Sequence, residues 1–190
     1  MIVGNGDIAN ALRGIDKGKL YFASGVSNSQ EIREEEYDRE INLLLEQDSF
    51  QHLVYFSSLC IFYSNSRYAR HKKEIEKIVS SKFYNHTIVR IGNIAWGSNP
   101  YTLINFIRNK IRNRESFEVE DVYRYILGKE EFIHWMLMIP DWSCEMNIVG
   151  RRMKVIDIVK EYCYPWGIPN GSTQRNYTEQ ELQVCIENRG

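Results

Sequence analysis

Short apolar runs alternate with longer amphipathic stretches along the first part of the chain. Met1-Ile2-Val3, Leu20 to Ala23, Leu53 to Phe56 and Thr87 to Ile91 are each too short for a helix and end in small or polar residues, as buried strands do. Between them, Glu31 to Gln47 carries Ile41, Leu44 and Leu45 as its apolar positions, and its acidic start (Glu34, Glu35, Glu36) suits a helix amino terminus. That charge run reads as a solvated face. Arg67 to Ser81 places Ile75, Ile78 and Val79 on a helix, and Tyr101 to Ile111 places Leu103, Ile104, Phe106 and Ile107 inward. Such alternation predicts an α/β fold, a parallel sheet with helices on its faces.

Past Ile111 the pattern is weaker. Phe117 to Leu127 holds one or two short strands, and Lys129 to Ile139 is a helix that Pro140 stops. Asn147-Ile148-Val149 is a strand ending at Gly150, and Val155, Ile156, Ile158 and Val159 mark another helix. Tyr164 to Asn176 is a loop, and Thr178-Glu179-Gln180-Glu181 is a capping box for a last helix. One domain covers 1–190, with a small substrate-side region over about 112–190.

Charge and composition exclude more than they suggest. The net charge of -1 supplies no bulk field for nucleic acid or an anionic membrane. No apolar run approaches the ~20 residues of a membrane span, and no basic-then-apolar leader opens the chain, so a cytoplasmic protein is expected. Cys60, Cys144, Cys163 and Cys185 are far apart and read as free thiols. His52, His71, His86 and His134 lack ligand spacing, so no metal is expected. The arginines and lysine at Arg108, Lys110, Arg112 and Arg114 form a basic face that reads as solvated.

The candidate chemistry falls at the carboxyl ends of the expected strands, where open α/β sheets bind ligands. Gly4-Asn5-Gly6-Asp7-Ile8-Ala9 is a G-x-G-x-x-A turn between a strand and a helix, which lets the backbone approach a pyrophosphate. Ala23, Ser24 and Gly25 close the second strand, Phe56, Ser57 and Ser58 the third, and Gly92, Asn93 and Ile94 the fourth. Tyr68 and Lys72 stand four apart on one helix, hence on one face. A cation beside a phenol favours the phenolate, which suits proton transfer near neutral pH. Each piece alone is weak, since Tyr-x-x-x-Lys arises on any amphipathic helix.

Together these residues resemble the extended short-chain dehydrogenase/reductases of the NAD-dependent epimerase/dehydratase group. The likeness runs from Met1 to about Val159 through the glycine turn, Phe22-Ala23-Ser24-Gly25, Val54 to Ser58, Tyr68-x-x-x-Lys72, Arg90 to Asn93 and Asn147 to Gly150. It implies a Rossmann-like fold holding NAD or NADP, with Tyr68 transferring the proton and Lys72 lowering its pKa and binding the nicotinamide ribose. The substrate implied is a sugar or nucleotide sugar, and the oligomer a homodimer through the Glu34 to Gln47 and Arg67 to Ser81 helices. Three departures accompany it. Only Arg13 to Lys19 stands where the family has two strands and a helix, so the acidic ribose-binding residue has no counterpart, and Arg13, Lys17 and Lys19 would suit the extra phosphate of NADP. The family's catalytic Ser or Thr aligns with Leu59, which leaves its neighbour Ser58 as the candidate. The segment before Tyr68 and the carboxyl-terminal region are both short. Retained Tyr68 and Lys72 point to an enzyme; Leu59 and the lost ribose site point to a catalytically silent relative that binds a dinucleotide or a partner.

Overall fold

The computed structural model of the chain describes residues 1–15 and 18–163. Lys17, Trp166, Cys185, the 164–176 loop and the 178–181 capping box lie outside the described residues. In chain order the elements are β1 (Ile2–Val3), α1 (Asp7–Leu12), β2 (Leu20–Phe22), α2 (Glu34–Leu45), β3 (Leu53–Ser58), a 3-10 turn (Leu59–Phe62), α3 (Arg67–Lys82), β4 (His86–Ile91), β5 (Asn93–Ile94), α4 (Leu103–Arg112), β6 (Tyr123–Leu127), α5 (Lys129–Leu137), β7 (Cys144–Ile148), β8 (Arg151–Lys154), α6 (Val155–Ile158) and a π turn (Val159–Cys163).

The main sheet is parallel, in the order β1-β2-β3-β4-β7, as the alternation predicts. Its two faces follow from the strand period of two. Tyr21, Val54, Phe56 and Val89 pack on Leu12 of α1 and on Phe132 and Met136 of α5. Leu20, Phe22, Leu53, Tyr55 and Ile88 pack on the other side against Leu44 of α2 and Ile75 and Val79 of α3. β1 is the end strand on its side of the sheet, so the strands a full-length Rossmann sheet carries beyond it have no place among the described residues.

A second, three-stranded sheet in the order β5-β6-β8 packs with α4 and α6 around Ile104, Ile107, Ile126, Met153 and Ile158. Of the one or two strands expected between residues 117 and 127, one forms, β6. The structure departs from the sequence expectation in β8, an unforeseen strand pairing antiparallel with β6. Phe106 is 44% exposed and Leu45 49% exposed, so neither is the inward position its helix pattern implied. The residues after Ser58, expected to be a polar connection, form a 3-10 turn whose Leu59 and Ile61 are buried. On α4, Arg108 donates to the Tyr162 carbonyl and Lys110 pairs with Glu115, so part of the basic face is held locally.

At the amino-terminal ends of the strands, opposite the ligand side, Lys19 is buried and paired with Asp141. His52 lies nearby with Nε2 2.8 Å from Thr87 Oγ1. Burial, with Lys19's charge added, holds the His52 imidazole down at about 4, against 6.5 in the open chain. The unfolded chain therefore takes up a proton between these values that the folded protein refuses, and stability falls as pH drops from 6.5 toward 4. Replacing His52 with glutamine should flatten that part of the profile, read as the urea midpoint at successive pH values. An unchanged slope would assign the acid loss to other groups.

Candidate functional site

The carboxyl ends of β1 to β4 open into one cleft of about 910 Å³. Gly6, Asp7 and Ile8 line it from the glycine turn, Ala23, Ser24 and Gly25 from the end of β2, and Phe56, Ser57 and Ser58 from β3. Tyr68 and Lys72 enter from α3, and Gly92, Asn93 and Ile94 from the end of β4. Thus the strand-end and Tyr68/Lys72 candidates, Gly4 excepted, reach the same cavity. Gly4 does not line it. Its φ of +124° and the 2.3 Å that would separate an added Cβ from the Ala23 carbonyl oxygen show instead a close crossing of β1's exit over β2's.

Asp7 opens α1, but its carboxylate turns to the loop after β5. It accepts from the backbone amides of Ser98 and Asn99 at 3.0 and 2.9 Å, and a Cβ on Gly97 would lie 2.0 Å from its Cγ. Asp7 therefore closes the cleft's rim by joining the glycine turn to residues 97–99.

The floor of the cleft settles which residue follows the strand into it. Ser58 is partly exposed, accepts from the Cys60 amide at 3.2 Å, and lines the cleft together with Tyr68. Leu59 is 5% exposed and turned into the core. Ser58, and not Leu59, therefore faces the cleft that Tyr68 enters. Ser57 is 3% exposed, and its hydroxyl has no hydrogen-bond partner among the described residues.

Lys72 departs from expectation. Its ammonium lies 5.6 Å from the centre of the Tyr68 ring, but it is 2% exposed and donates to Glu40 Oε1 at 2.9 Å and to the Tyr55 phenol oxygen at 3.1 Å. Glu40, on α2, is fully buried. Its carboxylate also accepts from Tyr55 Oη at 2.8 Å and the Val26 amide at 2.7 Å, and lies 3.0 Å from His71 Nε2. Burial alone would raise this carboxyl. The Lys72 charge and the hydrogen bonds from His71, Lys72 and Val26 outweigh it, and Glu40 sits far below the usual carboxylate range.

The Tyr68 phenol is pushed well above its ordinary value, first by burial and then by Cys60 and Glu40, against a smaller opposing pull from the Ser58 hydrogen bond. Burial outweighs any lowering by Lys72, whose ammonium is paired with Glu40 at 2.9 Å. At neutral pH the phenol is protonated, a proton donor rather than a ready base.

Glu40 was hidden within a run read as solvated. The stripe Tyr37, Glu40, Leu44, spaced three and then four, was the signal that this carboxylate faces inward. Arg39 was missed as well. It lines the cleft and donates through Nη1 to the Ser24 carbonyl and hydroxyl at 3.1 and 3.2 Å. Arg124, Tyr63 and Tyr101 line the opposite, carboxyl-terminal side. Arg13 and Lys19 do not line the cleft, and Lys19 sits at the far end of the sheet, so the expectation that these two meet a cofactor phosphate is withdrawn. Among the described residues no group of three His, Cys, Asp or Glu side chains could hold a metal, and no helix is long and apolar enough to cross a membrane.

The sequence matches no protein-family model and no curated protein. Solved structures do match. UDP-glucose 4-epimerase of Thermus thermophilus, in complex with NAD, superposes with a TM-score of 0.56 at 14% identity, covering 80% of this chain and 63% of that one. The Bordetella bronchiseptica enzyme WbmG, in complex with NAD and UDP, gives 0.57 at 10% identity over 91% and 65%. dTDP-4-dehydrorhamnose reductase of Bacillus anthracis, in complex with NADP, gives 0.52 at 13% over 80% and 65%. This chain shares the Rossmann-like α/β fold of these structures. It spans a little under two thirds of the length of these relatives in structure. Among the described residues no strand pairs on the far side of β1.

Proposed function

We infer that this shortened dehydrogenase/reductase fold is an NAD(P)-dependent oxidoreductase or epimerase acting on a hydroxyl or carbonyl of a sugar or nucleotide sugar. One observation carries the reading: four strand ends, Ser58 and Tyr68 line a single cleft. The residues fit the nicotinamide half of a dinucleotide. Ser57 offers a buried hydroxyl with no hydrogen-bond partner among the described residues, and Gly6 leaves the backbone bare, since a Cβ there meets nothing within 4 Å. The adenine-ribose half fits less well, because β1 ends the sheet where that ribose would be gripped. When bound, the dinucleotide supplies hydride chemistry. Ser58 orients the reacting oxygen, Tyr68 gives it a proton, and Lys72 fixes the floor beneath the phenol.

A second reading, a catalytically silent dinucleotide-binding relative, draws on the pairing of Lys72 with Glu40 and on the high proton affinity of Tyr68. Binding and turnover separate the two. NADH and NADPH are titrated by nicotinamide fluorescence, with Gly6→Arg as the blocked control. A Cβ at Gly6 meets nothing within 4 Å, so the backbone there accepts a side chain, and an unchanged urea midpoint checks that the control is folded. Wild type is expected to bind and Gly6→Arg not to. Identical traces remove the dinucleotide from both readings; binding without turnover on any candidate sugar favours the silent one.

A further inference from the structure

Glu40 is a fully buried carboxylate that four groups approach from three separate segments. Tyr55 comes from β3, His71 and Lys72 from α3, and the Val26 amide from the wall of the cleft after β2. Its surroundings hold no room for rearrangement. A Cβ on Gly25 would lie 2.6 Å from Lys72 Nζ and 2.8 Å from Glu40 Oε1, so the backbone of the wall rests directly on the ion pair. Packing does not require this arrangement: an apolar side chain at position 40 would join Tyr37 and Leu44 without the desolvation cost of a charge.

We propose that Glu40 is a positioning residue for the dinucleotide site: by holding Lys72 and the Val26 amide together it keeps the floor of the cleft and the wall of residues 24–29 in one geometry. This rests on the reading of the cleft as a dinucleotide site. Glu40 does not line the cavity, so its influence on a ligand passes through Lys72 and the wall. The charged and titratable groups around the pair are Tyr55 on β3, Tyr37 on α2, Cys60 on the 3-10 turn, and His71, Tyr68 and Glu76 on α3.

Two measurements test it. The first needs no ligand. The Glu40 carboxyl is followed by carbon-13 chemical shift in wild type and in Lys72→Met. In wild type it stays ionised where ordinary glutamates protonate; without Lys72 its titration moves up into their range or above. The second is a double-mutant cycle on NADH binding with Glu40→Gln and Lys72→Met. Glu40→Gln is expected to weaken binding about tenfold, the scale of one charged hydrogen bond, and the double variant to bind no worse than Lys72→Met alone. Glu40→Asp, which keeps the charge, should recover part of the loss. Additive losses, or a Glu40 titration indifferent to Lys72, overturn the proposal. If Glu40→Gln does not fold, the ligand-free measurement in Lys72→Met decides. If wild type binds no dinucleotide, the functional reading fails while that same measurement still judges Glu40.

Discussion

Tyr68→Phe is expected to lower turnover on the sugar substrate by about 10²–10⁴-fold, the usual contribution of a positioned proton donor. Dinucleotide affinity should change little, because the phenylalanine ring keeps the packing beside Lys72 and only the hydroxyl is removed. The high proton affinity of the phenol also sets a direction. A group that stays protonated through neutral and moderately alkaline pH gives a proton to a carbonyl oxygen more readily than it takes one from an alcohol. Carbonyl reduction should therefore hold its rate as pH rises, with no falling limb from this residue near neutrality, while alcohol oxidation should gain. Single-turnover rates of wild type and Tyr68→Phe across pH would show this. Equal rates in the two proteins would remove Tyr68 from the chemistry and leave the cleft a binding site.

Glu40→Ala should be the most destabilising single change among the residues named here, by about 3–5 kcal/mol, the cost of stripping one partner from a buried ion pair. The loss has three sources. Lys72 keeps a buried charge without its counterion, His71 and Tyr55 lose their acceptor, and the Val26 amide is left without a bond. Urea denaturation would register it as a lower midpoint with an unchanged slope. Removing both charges in Glu40→Leu with Lys72→Met should recover a large part of the deficit, since well-packed apolar groups often match a buried pair. A Glu40→Ala midpoint within experimental error of wild type would mean that the carboxylate is not ionised in the folded protein.

The frame of the molecule was legible in its sequence because the buried strands are uninterrupted apolar runs and the helices between them are amphipathic. Residues 53–56 could hardly be anything but an inner strand, and the small residues that follow each strand marked the ligand side. What escaped notice shares a physical character. β8 reads Arg151-Arg152-Met153-Lys154, and only Met153 is buried, so an outer strand of charged residues leaves almost no periodic trace. β5 is two residues long. The stripe of Tyr37, Glu40 and Leu44 marked Glu40 as inward, but its charge matched its neighbours on the exposed side of α2 and its meaning depended on partners up to 32 positions away. The proton affinity of Tyr68 was likewise beyond a reading of Tyr-x-x-x-Lys alone, since it turns first on how deeply the fold buries the phenol and then on Cys60 and a carboxylate from another helix.

The order of strands has a bearing on how the chain reaches its native state. β1 through β4 lie side by side in the order they are synthesised, so each pairing closes a modest loop onto an edge already formed. β7 is the exception, joining β4 across 57 positions at Thr87 and Cys144. Loop closure of that length is slow relative to the earlier steps. The late step would seat Ile148, with α5 beneath it, on a face until then open to water, and the nascent protein is most prone to clump in that interval.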